Sequence, residues 1–321
     1  MSAFMTTSDT KSAASDGARR RIRRPWRWVA LGTSFLCVFA WFGAGAMLSH
    51  RIDDSLAFAP ARTENGSLTV DVAAGLISRE VDQYGWQSND PWFYPTALTD
   101  NAAHFQSGMI WAISRLTAEL TDHVGRLGAV GRIDDDLLRA NGLLQYPGDI
   151  WLLDLRSLLP APSEAQYRSG REALLAYNKR LAIGQAVFEA RSDNLSFILN
   201  RIARDLGSES ESIEKRLRES GFPISTSADD LFYQVKGAVY AYTVIFNALA
   251  IDFAPAIKEH RLEALWAATA ASLAEAATLR PWIVLDGAPD GSAFANHLTV
   301  EGYYLLRVQA RLNDLVRALQ V

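Results

Sequence analysis

"NAAHFQSGMIWAISRLTAELTDHV", residues 101–124, decides the fold class. Phe105, Met109, Ile113, Leu116, Leu120 and Val124 recur at steps of three and four, the spacing that lines one face of a helix with 3.6 residues per turn. The stripe returns as Leu305, Val308, Leu312, Leu315 and Leu319, with Arg307, Arg311, Asn313 and Arg317 on the other faces. Between them Tyr167, Leu174, Tyr177, Leu181 and Phe188 form another, continued by Leu195, Ile198, Ile202 and Leu206. The only contender for a strand, "WIVLD" at 282–286, suits a buried connection equally. The body therefore reads as all-α, a large multi-helix bundle.

Punctuation agrees. Ser163, Ser227 and Thr299 suit helix N-caps, while Gly207, Gly221-Phe222-Pro223 and Pro281 read as stops. Helices are expected near 68–85, 102–124, 134–144, 163–191, 193–206, 209–219, 228–252, 257–279 and 299–320.

Upstream lies a different kind of apolar run. Residues 29–48, "VALGTSFLCVFAWFGAGAML", contain 20 uncharged positions, about the length that crosses a bilayer as a helix. Trp26 and Trp28 mark one edge, as indoles do at headgroup level. Residues 1–28 carry Lys11 and six arginines (Arg19, Arg20, Arg21, Arg23, Arg24, Arg27) against Asp9 and Asp16, a net +5 that leaves −9 on the remainder of a chain of net −4. By the positive-inside rule the tail is cytoplasmic and meets anionic lipid, and the body lies outside. Ala44-Gly45-Ala46 resembles a signal-peptidase site, but the leading segment is long for a signal peptide, so an uncleaved anchor is the preferred reading. The expected layout is a basic cytoplasmic tail (1–28), a transmembrane anchor (29–48), a linker (49–66) and a helical periplasmic domain (67–321). A second apolar run, 237–251, is bounded by Lys236 and Asp252 and reads as a buried core helix rather than a second span.

With 49% apolar and 21% charged residues among 321, the composition is that of a globular chain. Cys37 is the only cysteine, which excludes an intramolecular disulfide and a cysteine-based zinc site. The acidic body offers no basis for nucleic-acid binding.

The stretches "GWQSNDPWFYP" (85–95), "DNAAHFQSG" (100–108), "YNKRLAIGQAVFEARSDNLSFILNRIARDLGS" (177–208) and "DDLFYQVKGAVYAY" (229–242) together resemble an uncharacterised family of proteobacterial single-pass inner-membrane proteins, domain of unknown function 2333. The resemblance covers nearly everything after the basic tail. It implies a Gram-negative envelope and supports the topology, and it implies no activity.

Several groups are candidates for chemistry. Trp86, Trp92, Phe93 and Tyr94 read as a seal over one end of the bundle, with Asn101 capping the next helix. The functional alternative is an aromatic groove rimmed by Asp90, Asp100 and Gln106, which suits a glycan or a peptide. Asp90 and Asp100 are also the acids a glycosidase would need across a scissile bond. Asp134, Asp135 and Asp136 look like acidic residues at a helix N-terminus. Arg191 and Asp193 suit a paired helix junction. Lys236 shares a helical face with Asp229, Tyr233 and Tyr240 and needs a carboxylate partner if it is buried.

The histidines at 50, 104, 123, 260 and 297 show no metal-binding spacing, and "DGAPDGSAFANH" (286–297) is a turn rather than a calcium loop. Neither a metal nor a cofactor is expected. The leading expectation is a non-catalytic, membrane-anchored interaction module within a cell-envelope complex, with another envelope protein as partner. The alternatives are a glycan- or peptidoglycan-acting hydrolase using Asp90 and Asp100, and a solute-binding sensor with a separate transducer.

Overall fold

The computed structural model describes residues 23–49, 51–124, 126–127, 132–151, 161–219, 226–280 and 297–320. The tail up to Ile22, His50, the 221–223 stop, and Pro281 with the 282–286 and 286–296 stretches lie outside the described residues. The helices are α1 (Arg23–Ser49), α2 (Leu68–Ser78), α3 (Asn101–Glu119), α4 (Asp135–Leu144), α5 (Ser163–Ala182), α6 (Ser192–Glu219), α7 (Thr226–Asp252), α8 (Ala254–Glu259), α9 (Glu263–Ala277) and α10 (His297–Leu319). Wider π-type turns extend α2 over Arg79–Gln83 and α3 over Leu120–Val124. Arg126–Leu127 and Arg132–Ile133 pair antiparallel as a two-residue hairpin. The fold is all-α.

α7 explains the architecture. It is apolar around its circumference, and such a helix must be enclosed. α3, α9 and α2 enclose it, burying Phe232, Tyr240, Tyr242, Phe246 and Leu249. Thus 237–251 is a core helix. Among the described residues one helix, over Trp26–Met47, is long and apolar enough to cross a membrane. That stretch suits a membrane anchor or a signal sequence.

The α3–α7 crossing rests on two glycines. A methyl at Gly108 would strike the Gln234 carbonyl, and one at Gly237 would strike that of Phe105. Asp252, at the end of α7, accepts the orphan amides of Leu68 and Thr69 at 3.0 and 2.8 Å, so the end of one helix caps the start of another.

Several boundaries depart from expectation. Gly207 does not stop a helix: α6 runs through it because its bare Cα accommodates Gln309 of α10. α5 ends at Ala182 rather than near 191, where Gly184 turns the chain at φ 73°. The helix expected over 257–279 is broken between α8 and α9, with Arg261 at φ 55°. Ser163 is not a cap. Its hydroxyl donates to the Pro147 carbonyl (2.7 Å) and accepts the Ile150 amide (3.0 Å), fastening the preceding loop. Ser227 and Thr299 fall inside first turns that begin at Thr226 and His297, and Asp100, not Asn101, precedes α3.

Candidate functional site

Two structures flank the C-terminal end of α1. The first is a buried polar latch. The segment expected as a linker enters the body, and Asp54 (3% exposed) meets Lys236 of α7 (2% exposed) at 2.8 Å. Lys236 also donates to the Leu279 carbonyl, and Arg280 closes on the same carboxylate. Burial would raise the Asp54 carboxyl, but bonds from Arg280 and Lys236 outweigh it and hold Asp54 below its ordinary value. Burial pulls Lys236 below the ordinary lysine value despite Asp54.

One residue earlier, Asp53 accepts the Tyr84 hydroxyl at 2.9 Å and lies 3.6 Å from Arg79. Arg79 binds Glu80 at 2.7 Å and donates to the Tyr240 hydroxyl at 2.8 Å, and Tyr240 donates to the Ser55 carbonyl at 2.9 Å. Lys236 thus has its carboxylate, but from the far end of the sequence rather than from Asp229.

The second structure is the aromatic loop, and only part of it is a seal. Trp86 is buried, donating to the Gly148 carbonyl at 2.8 Å and packing edge-on to Tyr167 at 4.9 Å. Trp92, Phe93 and Tyr94 are 83%, 44% and 41% exposed, so they close nothing in the body. They turn outward because the loop rests on α1. The Trp41 indole donates to the Phe93 carbonyl at 3.4 Å, and a methyl at Gly45 would lie 2.5 Å from Pro95.

Behind that loop opens a cleft of about 450 Å³. Asp90, Asp100, Asp149, His104, Thr96 and Gln234 contribute to its wall, which among the described residues contains no lysine or arginine. Asp90 accepts the Thr96 hydroxyl at 2.6 Å, and burial raises its carboxyl. At one side His104 Nε2 lies 3.4 Å from Asp230, and donor atoms of Asp100, His104 and Asp230 all fall within 4.8 Å of one another. Burial, then Asp100 and Asp230, push Asp229 up to about 6 against the opposing pull of His104. Asn101 supplies this group with a hydrogen bond to Asp229 instead of capping α3. Among the described residues this partly desolvated carboxylate cluster holds a single imidazole and is deficient in positive charge, so its chemistry is to accept a cation or a cationic hydrogen-bond donor. Asp100, His104 and Asp230 are the residues among those described that would face a metal ion there.

The other candidates do not join this site. Gln106 is fully buried, not at a rim: it accepts the Gln87 amide at 3.0 Å and donates to the Gly85 carbonyl at 2.9 Å. Arg191 and Asp193 form an exposed pair at 2.9 Å, and Asp193 accepts the Asn194 amide in the first turn of α6. Asp134 is the N-cap of α4, bonded to the amides of Asp136 and Leu137 and tied to Arg180. Arg27 is exposed on α1, whereas Arg19, Arg20 and Arg21 lie outside the described residues, as do the side chains of Arg23 and Arg24.

Sequence reading missed two features. Burial and Asp205 raise Glu209 to about 7, and its α10 neighbour Glu301, wholly buried, is raised well above the carboxylate range. The other is His104 with Asp230. The i to i+4 spacing of Asp100 and His104 was visible, but their meeting with α7 was not.

No curated protein and no solved structure matches the chain. A family model does match, over residues 60–225 and 224–321. The chain belongs to that family, DUF2333, described as uncharacterised proteins conserved in bacteria.

Proposed function

We propose that the protein is a single-pass inner-membrane protein with its N-terminus in the cytoplasm and its body in the periplasm. It acts there as a non-catalytic interaction module that binds a basic segment of another envelope protein. The arginines over residues 19–27 and the acidic excess after the apolar run support this topology. One observation carries the binding reading: a cleft of about 450 Å³ whose described wall has three aspartates and a histidine, without lysine or arginine. A lysine or arginine from a partner supplies the missing charge, and charge complementarity of this kind governs specificity and association rate.

The test is quantitative mass spectrometry of the full-length protein purified in mild detergent, beside an Asp100→Asn/Asp230→Asn double variant. A co-purifying protein lost from the variant, and lost at high salt, is the expected outcome. Equal retention by both forms, or a reproducibly solitary protein, overturns the reading.

A second reading has one observation behind it. Asp90 and Asp100 share this cleft, and burial holds Asp90 toward the protonated form a general acid needs. Release of soluble fragments from peptidoglycan, abolished by Asp90→Asn in a folded protein, would establish hydrolysis. Unchanged turnover would remove Asp90.

A further inference from the structure

We propose that the Trp92-Phe93-Tyr94 loop is a second membrane contact, lying in the interfacial layer of the leaflet that holds the C-terminal end of α1 and setting the acidic cleft at the membrane surface. The inference rests on α1 being a membrane anchor and goes beyond it, since an anchor followed by a free body would require no such contact.

The argument begins with depth. The apolar stretch Trp26–Met47 has 22 residues, which at 1.5 Å per residue measures about 33 Å, close to a hydrocarbon core of roughly 30 Å. The loop touches this helix at Trp41 and Gly45, so its contacts span the last turn or two before Met47, within roughly 9 Å of the end of the span. A loop fastened there is at the level where hydrocarbon gives way to headgroups.

Its residues suit that layer. Tryptophan and tyrosine collect at the membrane interface because each presents a large apolar body and one polar atom. The three side chains support one another at ring separations of 5.8 Å (Trp92–Phe93) and 5.4 Å (Phe93–Tyr94), and Trp151 packs on Phe93 at 6.2 Å. The backbone is braced by the Tyr94 amide donating to the Pro91 carbonyl at 2.9 Å and by the 3₁₀ turn Pro95–Leu98. A cluster built outward and held by a proline against a span is aimed at the medium around that span.

The carboxylates beside the loop argue against an electrostatic origin. Asp90 and Asp100 neighbour the loop, and anionic lipid would repel them. Contact therefore comes from apolar burial and persists in zwitterionic lipid and at high salt.

The full-length protein, with Cys37 replaced by Ser and Trp92→Cys carrying an environment-sensitive fluorophore, is reconstituted into phosphatidylcholine vesicles. A second sample carries Ile183→Cys, at an exposed position in the turn after α5, and a third keeps the native Cys37 labelled. The expected result is quenching at position 92 by a lipid with a shallow nitroxide, with iodide quenching reduced about fivefold relative to position 183, as for an interfacial site. Iodide access at 92 equal to that at 183 overturns the proposal, and protection from iodide and from shallow and deep nitroxides alike also overturns it by showing a second copy of the chain as the cover. The Cys37 sample separates the two failures. Quenching there by a deep nitroxide upholds the anchor even if the loop proves to be in water, whereas its absence removes the anchor itself.

Discussion

Beside the end of α1 the usual assignment of residues to inside and outside is reversed. Asp54 is 3% exposed and Trp92 is 83% exposed. The aspartate goes inside because Lys236 and Arg280 meet it there, and a buried charge is tolerated when paired and hydrogen-bonded. The tryptophan stays outside on a loop that rests against α1. Hydropathy thus ranks residues only against a stated surrounding. Where one side of a protein faces something other than water, the ranking inverts.

The largest effect is expected in the latch. Removing one partner leaves the other charge buried, so Asp54→Ala should destabilise the body by about 3–5 kcal/mol in denaturant unfolding. The double variant Asp54→Leu/Lys236→Met should recover most of that loss. If Asp54→Ala costs no more than an exposed substitution, the pair is not desolvated and the contrast with Trp92 collapses.

A smaller, pH-dependent effect arises next to the latch, where Lys236 faces Glu301 and Glu301 faces Glu209. The Glu209 carboxyl is raised from 4.5 to about 7, so between those values the folded state binds a proton that the unfolded state has released. Stability from this group is full below pH 4.5 and is lost as pH rises through 7, by up to about 3 kcal/mol. Glu209→Gln should flatten unfolding curves measured from pH 5 to 8. Asp54 acts with the opposite sign: its carboxyl is lowered, so its contribution holds above the ordinary 3.8 and disappears in more acid solution.

The smallest effect sharpens the comparison. Trp92→Ser should change unfolding stability by no more than about 0.5 kcal/mol, as expected for an exposed side chain. A large loss would mean that the indole packs on the body after all.

Much of the fold was legible because helical periodicity is local. The stripes of α3 and α10 and the acidic start of α4 needed only residues within a few turns. Gly207 looked like a stop for the same reason: its local propensity was plain, while the Gln309 side chain that occupies the space beside it comes from α10. Asp54 was legible only as a charge after an apolar run. Its partners are 182 and 226 residues away, at Lys236 and Arg280, and no spacing rule connects them.

The sequence by itself determined a helical body behind one apolar segment of spanning length, because periodicity and hydropathy follow from neighbours along the chain. Only the tertiary structure decided that Asp54, in the segment after α1, is buried, that Trp86 faces inward while Trp92 faces outward, and that Asp100 and His104 meet Asp230. Those outcomes depend on which elements approach one another, and burial and charge pairing are set by neighbours in space.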